Sequence, residues 1–152
     1  MGDFEEGSPG GSALSFIDSS VFLYAFLTPR GELPSEMMEH KRRSQDILRR
    51  VQDGERVVTS AAHISEIADI LESRFSLRSA RHTLSQVLLS ENVEILGVDR
   101  LRYEAALAVS ERHDLGLNDA VAYTLMLERG ITGIYSHDRH FDNLPGIHRL
   151  MI

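Results

Sequence analysis

Five short apolar runs alternate with longer segments of helical periodicity, and this alternation constrains the fold more than any other feature of the chain. The runs are LSFID (14–18), RVVT (56–59), VEIL (93–96), GIYS (133–136) and IHRL (147–150). Each is too short for a helix and reads as a strand. A helical segment follows the first run to about Leu27, and TPRGELP (28–34) reads as a loop. Ser35 is placed to cap a helix running to about Asp53, which Gly54 ends. Residues 60–75 carry Ile64, Ile67, Ala68, Leu71 and Phe75 on one helical stripe, and a second helix covers 77–90. Asp99 is placed to cap a helix to about His113, and Asn118 another to about Arg129. Strands that alternate with helices require right-handed crossovers. The expected fold is therefore α/β, a three-layer α/β/α arrangement around a parallel sheet. In such sheets the ligand crevice lies beyond the carboxyl ends of the strands.

Residues 1–12 (MGDFEEGSPGGS) are Gly, Ser, Pro and acid with one aromatic, and read as a flexible extension. Residues 13–152 read as one domain, with no internal repeat and no second linker. The chain has no cysteine, which excludes disulfides, Cys-ligated zinc, iron–sulfur clusters and thiol catalysis. No apolar run approaches the roughly 18 residues of a membrane span. The acidic start MGDFEEG is unlike a secretory leader, so the cytoplasm is the expected compartment. The formal net charge of −7 excludes a polycation and argues at first sight against a nucleic-acid partner.

The carboxylates near the predicted strand ends decide more. Asp18 follows the first strand, where an aspartate is by default an N-cap. Glu66 lies opposite the apolar stripe of its helix and reads as solvated unless that face borders the crevice. Asp119 has Ala122, Tyr123 and Met126 at i+3, i+4 and i+7, so it sits on an apolar face and needs a partner. Asp138 and Asp142 follow the fourth strand in SHDRHFD, four residues apart, so a helical turn would put them on one side. In a parallel sheet of this kind strands one and four are neighbours at the switch point. Carboxylates gathered there repel unless a cation joins them, and hard oxygen ligands without cysteine select Mg²⁺ or Mn²⁺ over zinc. Such acidic metal sites carry out phosphoryl-transfer chemistry.

The segments FIDSSVFLYAF (16–26), TSAAHISEI (59–67), GLNDAVAYTLMLERG (116–130) and IYSHDRHFDNLPGI (134–147) together resemble the PIN-domain nucleases, in particular the VapC-like toxin group. The resemblance spans essentially all of 14–152. It implies a five-stranded sheet of order 3-2-1-4-5 and an acidic quartet at Asp18, Glu66, Asp119 and Asp138. Ser20 and Ser136 fall on the family's small polar positions, and Asp142 on a further acid that some members use as a metal ligand. The implied activity is that of a Mg²⁺- or Mn²⁺-dependent endoribonuclease, with water attacking in line to leave a 5′-phosphate and a 3′-hydroxyl. Asp18, Asp119 and Asp138 are then metal ligands, Glu66 acts in water positioning or proton transfer, and the two serines orient. The implied partners are RNA, a second copy of the chain and a small antitoxin protein, with 35–53 and 60–90 as a possible dimer face. His137 departs from the family pattern, which is often aliphatic or aromatic there, and the N-terminal extension is extra.

Other readings fit less well. A phospho-receiver domain needs a late lysine, whereas the chain's one lysine is Lys41. His113-Asp114 and His137-Asp138 suggest a histidine-based phosphohydrolase, but such enzymes are all-helical. A non-catalytic RNA- or protein-binding module of the same fold stays open. The charge is also less adverse than it first appears. Asp3, Glu5 and Glu6 belong to the extension, and five further acids to the proposed site. The remaining surface is near neutral, and its cations are almost all arginines suited to phosphate contacts.

Overall fold

The three-residue strand Ser15–Ile17 (β1) lies at the centre of a five-stranded sheet, and the elements on both faces are arranged around it. A computed structural model describes residues 14–27 and 34–150. The expected extension at 1–12 and nearly all of the loop at 28–34 lie outside these residues. In chain order β1 is followed by α1 (Ser19–Phe26), α2 (Ser35–Gln52), β2 (Val57–Ser60), α3 (Ala61–Arg74), α4 (Leu77–Leu88) and β3 (Val93–Leu96). Then come α5 (Arg100–His113), α6 (Leu117–Arg129), β4 (Gly133–Tyr135), a short 3-10 helix (Arg139–Asn143) and β5 (His148–Arg149). The strand order is β3-β2-β1-β4-β5 with every pairing parallel, as expected.

Successive side chains on a strand point to opposite faces. Phe16, Val58 and Ile134 therefore enter one core with Ala120, Met126 and Phe141, under α5, α6 and the 3-10 helix. Their neighbours Ile17, Val57 and Tyr135 enter the other, with Val21, Ile47, Ile67 and Val87 from α1 to α4. Two-sided burial explains why the strands read as continuous apolar runs. α6 carries buried residues on most of its circumference, including Ala120, Val121, Ala122, Tyr123, Leu125 and Met126.

The helix boundaries differ from expectation at two caps. Pro34, not Ser35, occupies the junction before α2, because its fixed φ and missing N–H suit a helix entrance. Ser35 becomes the first helical residue. Gly116, not Asn118, precedes α6, which frees the Asn118 amide for a tertiary contact. Asp99 caps α5 as expected, accepting from the Arg102 N–H at 3.0 Å. Lys41 Nζ donates to the carbonyls of Tyr24, Ala25 and Leu27 at 3.3, 3.1 and 2.7 Å, satisfying the open end of α1 and tying α2 to it. Among the described residues no helix is long and apolar enough to cross a membrane.

Met126 is fully buried under the central strands, whereas the adjacent Leu127 is 52% exposed. Met126→Ala is expected to cost about 2–5 kcal/mol in urea unfolding, and Leu127→Ala within about 0.5 kcal/mol. Similar losses for the two would contradict the assigned packing of α6.

Candidate active site

The site forms where β1 and β4 lie side by side, because the chain leaves the sheet in different directions from these two strands. Asp18 ends β1 and remains in the sheet, its N–H donating to the Tyr135 carbonyl at 2.9 Å. It has the extended backbone of an N-cap but makes no side-chain cap to α1. Its carboxylate, in a residue only 4% exposed, instead faces β4. The Ser136 hydroxyl donates to Asp18 Oδ2 at 2.7 Å, and the Ser20 hydroxyl to the same oxygen at 3.0 Å. The two serines also accept backbone N–H groups, Ser136 from Asp138 at 3.0 Å and Ser20 from His137 at 3.1 Å. One pair of hydroxyls thus fixes both the first carboxylate and the backbone leading to the last one.

Glu66 is half-buried and faces this crevice. The Ser19 hydroxyl donates to Oε1, and the Asn118 amide donates to Oε2 at 2.8 Å. The stripe of α3 is rotated from the expected one, with His63, Ile67 and Leu71 as its fully buried members. Glu66 therefore sits beside the core edge, not opposite it. Asp119 enters from the first turn of α6, as its apolar neighbours required. It lies within ligand distance of Asp138 and His140, with one donor atom from each within 4.8 Å of the others. Burial, followed by the charges of Asp18 and Asp138, a hydrogen bond with Asp138 and the charge of Glu66, pushes the Asp119 carboxyl up to about 7.

Asp142 is not part of this group. Its two oxygens accept from Arg149 at 2.9 and 3.1 Å, and that guanidinium holds its carboxyl below the usual range. The i+4 spacing aligns side chains on an α-turn, but this segment is a 3-10 helix, whose three-residue turn rotates Asp142 away from Asp138.

Two histidines are more deeply embedded than the sequence suggested. His137 packs at a tilt against both Tyr24 and His40, with ring centroids 4.6 and 4.5 Å away, and its Nε2 lies 2.6 Å from the Ser44 hydroxyl. Burial lowers its pKa to about 4, with help from nearby His40, Arg149 and Arg43. His63 was missed as a site neighbour. It is fully buried, edge-on to Phe16, with Nδ1 2.6 Å from the Ser60 hydroxyl. Its Nε2 has no hydrogen-bond partner and lies 3.6 Å from Asp18 Oδ1. Burial lowers its pKa, keeping the ring neutral against the pull of Asp18 and Glu66. Its position four residues before Ile67, on the same stripe, was the available signal.

The chain matches known proteins over most of its length. The PIN domain family model matches residues 15–147. Ribonuclease VapC13 of Mycobacterium tuberculosis is 32% identical over 136 residues, covering 88% of this chain and 97% of its own. Among solved structures, VapC20 of Mycobacterium tuberculosis, described as a sarcin-ricin loop cleaving toxin, superposes with a TM-score of 0.69 at 21% identity, covering 87% of this chain and 95% of its own. A toxin–antitoxin complex from Klebsiella pneumoniae gives a TM-score of 0.61 at 14% identity, covering 88% of this chain and 95% of the matched one. With its fold, its carboxylate arrangement and its near full-length match to a VapC ribonuclease, the chain belongs to the PIN domain family.

Proposed function

We propose that this protein is a Mg²⁺- or Mn²⁺-dependent endoribonuclease of the VapC toxin type. The observation that carries the reading is the convergence of Asp18, Glu66, Asp119 and Asp138 at the β1–β4 switch point, in a chain that aligns almost end to end with a VapC ribonuclease. The residues fit a divalent cation. Burial, and then the charges of the other three carboxylates, push the Asp119 carboxyl up to about 7, and a bound cation would offset both. The buried His63 Nε2 is unpartnered beside Asp18. The donors are oxygens and imidazole, with no thiolate.

Asp18, Asp119 and Asp138 would hold the ion, which supplies charge neutralisation at the phosphate and acidifies water. Ser20 and Ser136 keep Asp18 in one orientation. Glu66, held at both oxygens by Ser19 and Asn118, is placed to orient the attacking water and take its proton as the phosphodiester bond breaks in line. The proposed products carry a 5′-phosphate and a 3′-hydroxyl.

Many arginines proposed for RNA contact are engaged in exposed ion pairs, such as Arg102 with Glu128 and Arg129 with Glu94. Such pairs contribute only about 0–1 kcal/mol, so exchange for phosphate is inexpensive. A small antitoxin is the proposed regulatory partner, supported by the toxin–antitoxin complex of similar fold. A homodimer in the cytoplasm is the proposed working form. Exposed Met37 and Met38 on α2 and Leu77 and Leu88 on α4 support the 35–53 and 60–90 region as its face.

Asp119→Asn and Asp138→Asn are each expected to lower cleavage of labelled RNA at least about 100-fold with the fold retained by circular dichroism. Undiminished cleavage by both would leave a non-catalytic binding module.

The folded chain holds the Asp119 proton to about 7, whereas an unfolded aspartate releases it near 4. Between these values the unfolded state binds fewer protons, so the metal-free protein loses stability as pH rises. Thermal unfolding is expected to show this contribution between about pH 4 and about pH 7, reversed by millimolar Mg²⁺ and removed by Asp119→Asn. Parallel profiles for wild type and variant would disprove the assignment.

A further inference from the structure

We infer that His140 is a nitrogen ligand of the divalent ion, making this a mixed oxygen and imidazole site that favours Mn²⁺ over Mg²⁺. The inference rests on the metal-dependent reading above and deepens it. His140 is in the first turn of the 3-10 helix that follows Asp138. Its Nδ1 lies 3.0 Å from Asp138 Oδ1 and 4.0 Å from Asp119 Oδ2.

Those separations suit a shared ion. In a six-coordinate site with bonds of roughly 2.1 Å, adjacent donors are about 3.0 Å apart and opposite donors about 4.2 Å apart. The two His140 Nδ1 distances fall within the range that donors to one such ion would show. The backbone sets this arrangement. Asp138 Oδ1 accepts the His140 N–H at 2.9 Å, which folds the turn so that the ring returns over the carboxylate. The His140 side chain is 68% exposed, so an ion can reach Nδ1 from solvent.

A second observation concerns the neighbouring carboxylate, Asp18. On its far side the fully buried His63 leaves Nε2 unpartnered, 3.6 Å from Asp18 Oδ1. Without a hydrogen bond from that nitrogen, the Asp18 carboxylate is left to be balanced from the crevice. Imidazole does little for Mg²⁺, which prefers oxygen donors, but it suits Mn²⁺ and the later first-row ions.

The test is electron spin-echo spectroscopy of the full chain loaded with Mn²⁺. The expected result is a directly coordinated ¹⁴N coupling that His140→Gln abolishes and His82→Gln, remote on α4, retains. Titration should show Mn²⁺ affinity falling roughly 10-fold or more in His140→Gln, with Mg²⁺ affinity, read by competition, close to wild type. Bound Mn²⁺ with no ¹⁴N coupling, or a coupling that survives His140→Gln, would overturn the inference and leave the metal-dependent nuclease intact. Failure of the wild-type chain to bind Mn²⁺ or Mg²⁺ at millimolar concentration would overturn both.

Discussion

The arrangement of the site depends on one buried contact, the clamp of Ser20 and Ser136 on the Asp18 carboxylate. Asp18 lies at the end of the central strand, where an unpaired charge is expensive to bury. Two hydroxyls and the proximity of β4 make it tolerable, and the same hydroxyls accept the backbone N–H groups of His137 and Asp138. The position of the last carboxylate is thereby coupled to that of the first through hydrogen bonds that leave little slack. Loss of either serine would remove one of the two donors on Asp18 Oδ2 and leave a backbone N–H without its acceptor.

Around that clamp the protein concentrates like charge. Glu66 is restrained by donors from α1 and α6, and Asp119 is driven inward by the apolar face of its own helix. The structure tolerates this repulsion by keeping a proton on Asp119 near neutrality. The mutual strain of the carboxylates and their affinity for a cation have one origin, since each charge that raises the Asp119 pKa would stabilise a bound divalent ion. His63, neutral and unpartnered against Asp18, does not relieve the strain.

The legible parts of the site were those that leave a pattern along the chain. Asp119 was identifiable as inward-facing because Ala122, Tyr123 and Met126 fix the helix face that carries it. Asp18 and Asp138 were placed by their positions just beyond strands. Glu66 was harder, because its wheel position suggested solvent, and α3 packs with His63 rather than Ile64 on its buried line. Ser19 and Asn118 left no signal as Glu66 donors, since their partners lie 47 and 52 residues away.

By itself the sequence determined the layered α/β fold, because two-sided burial of short strands and amphipathic helices is written into local periodicity. It also determined that carboxylates gather at one sheet edge, because the strand ends are local features. Only the tertiary structure decided which carboxylates share a centre. The turn after β4 is a 3-10 helix, so Asp142 rotates to Arg149 while His140 returns to Asp138 and Asp119. A difference of less than one residue per turn made that choice, and it follows from how the segment docks on the sheet rather than from its spacing.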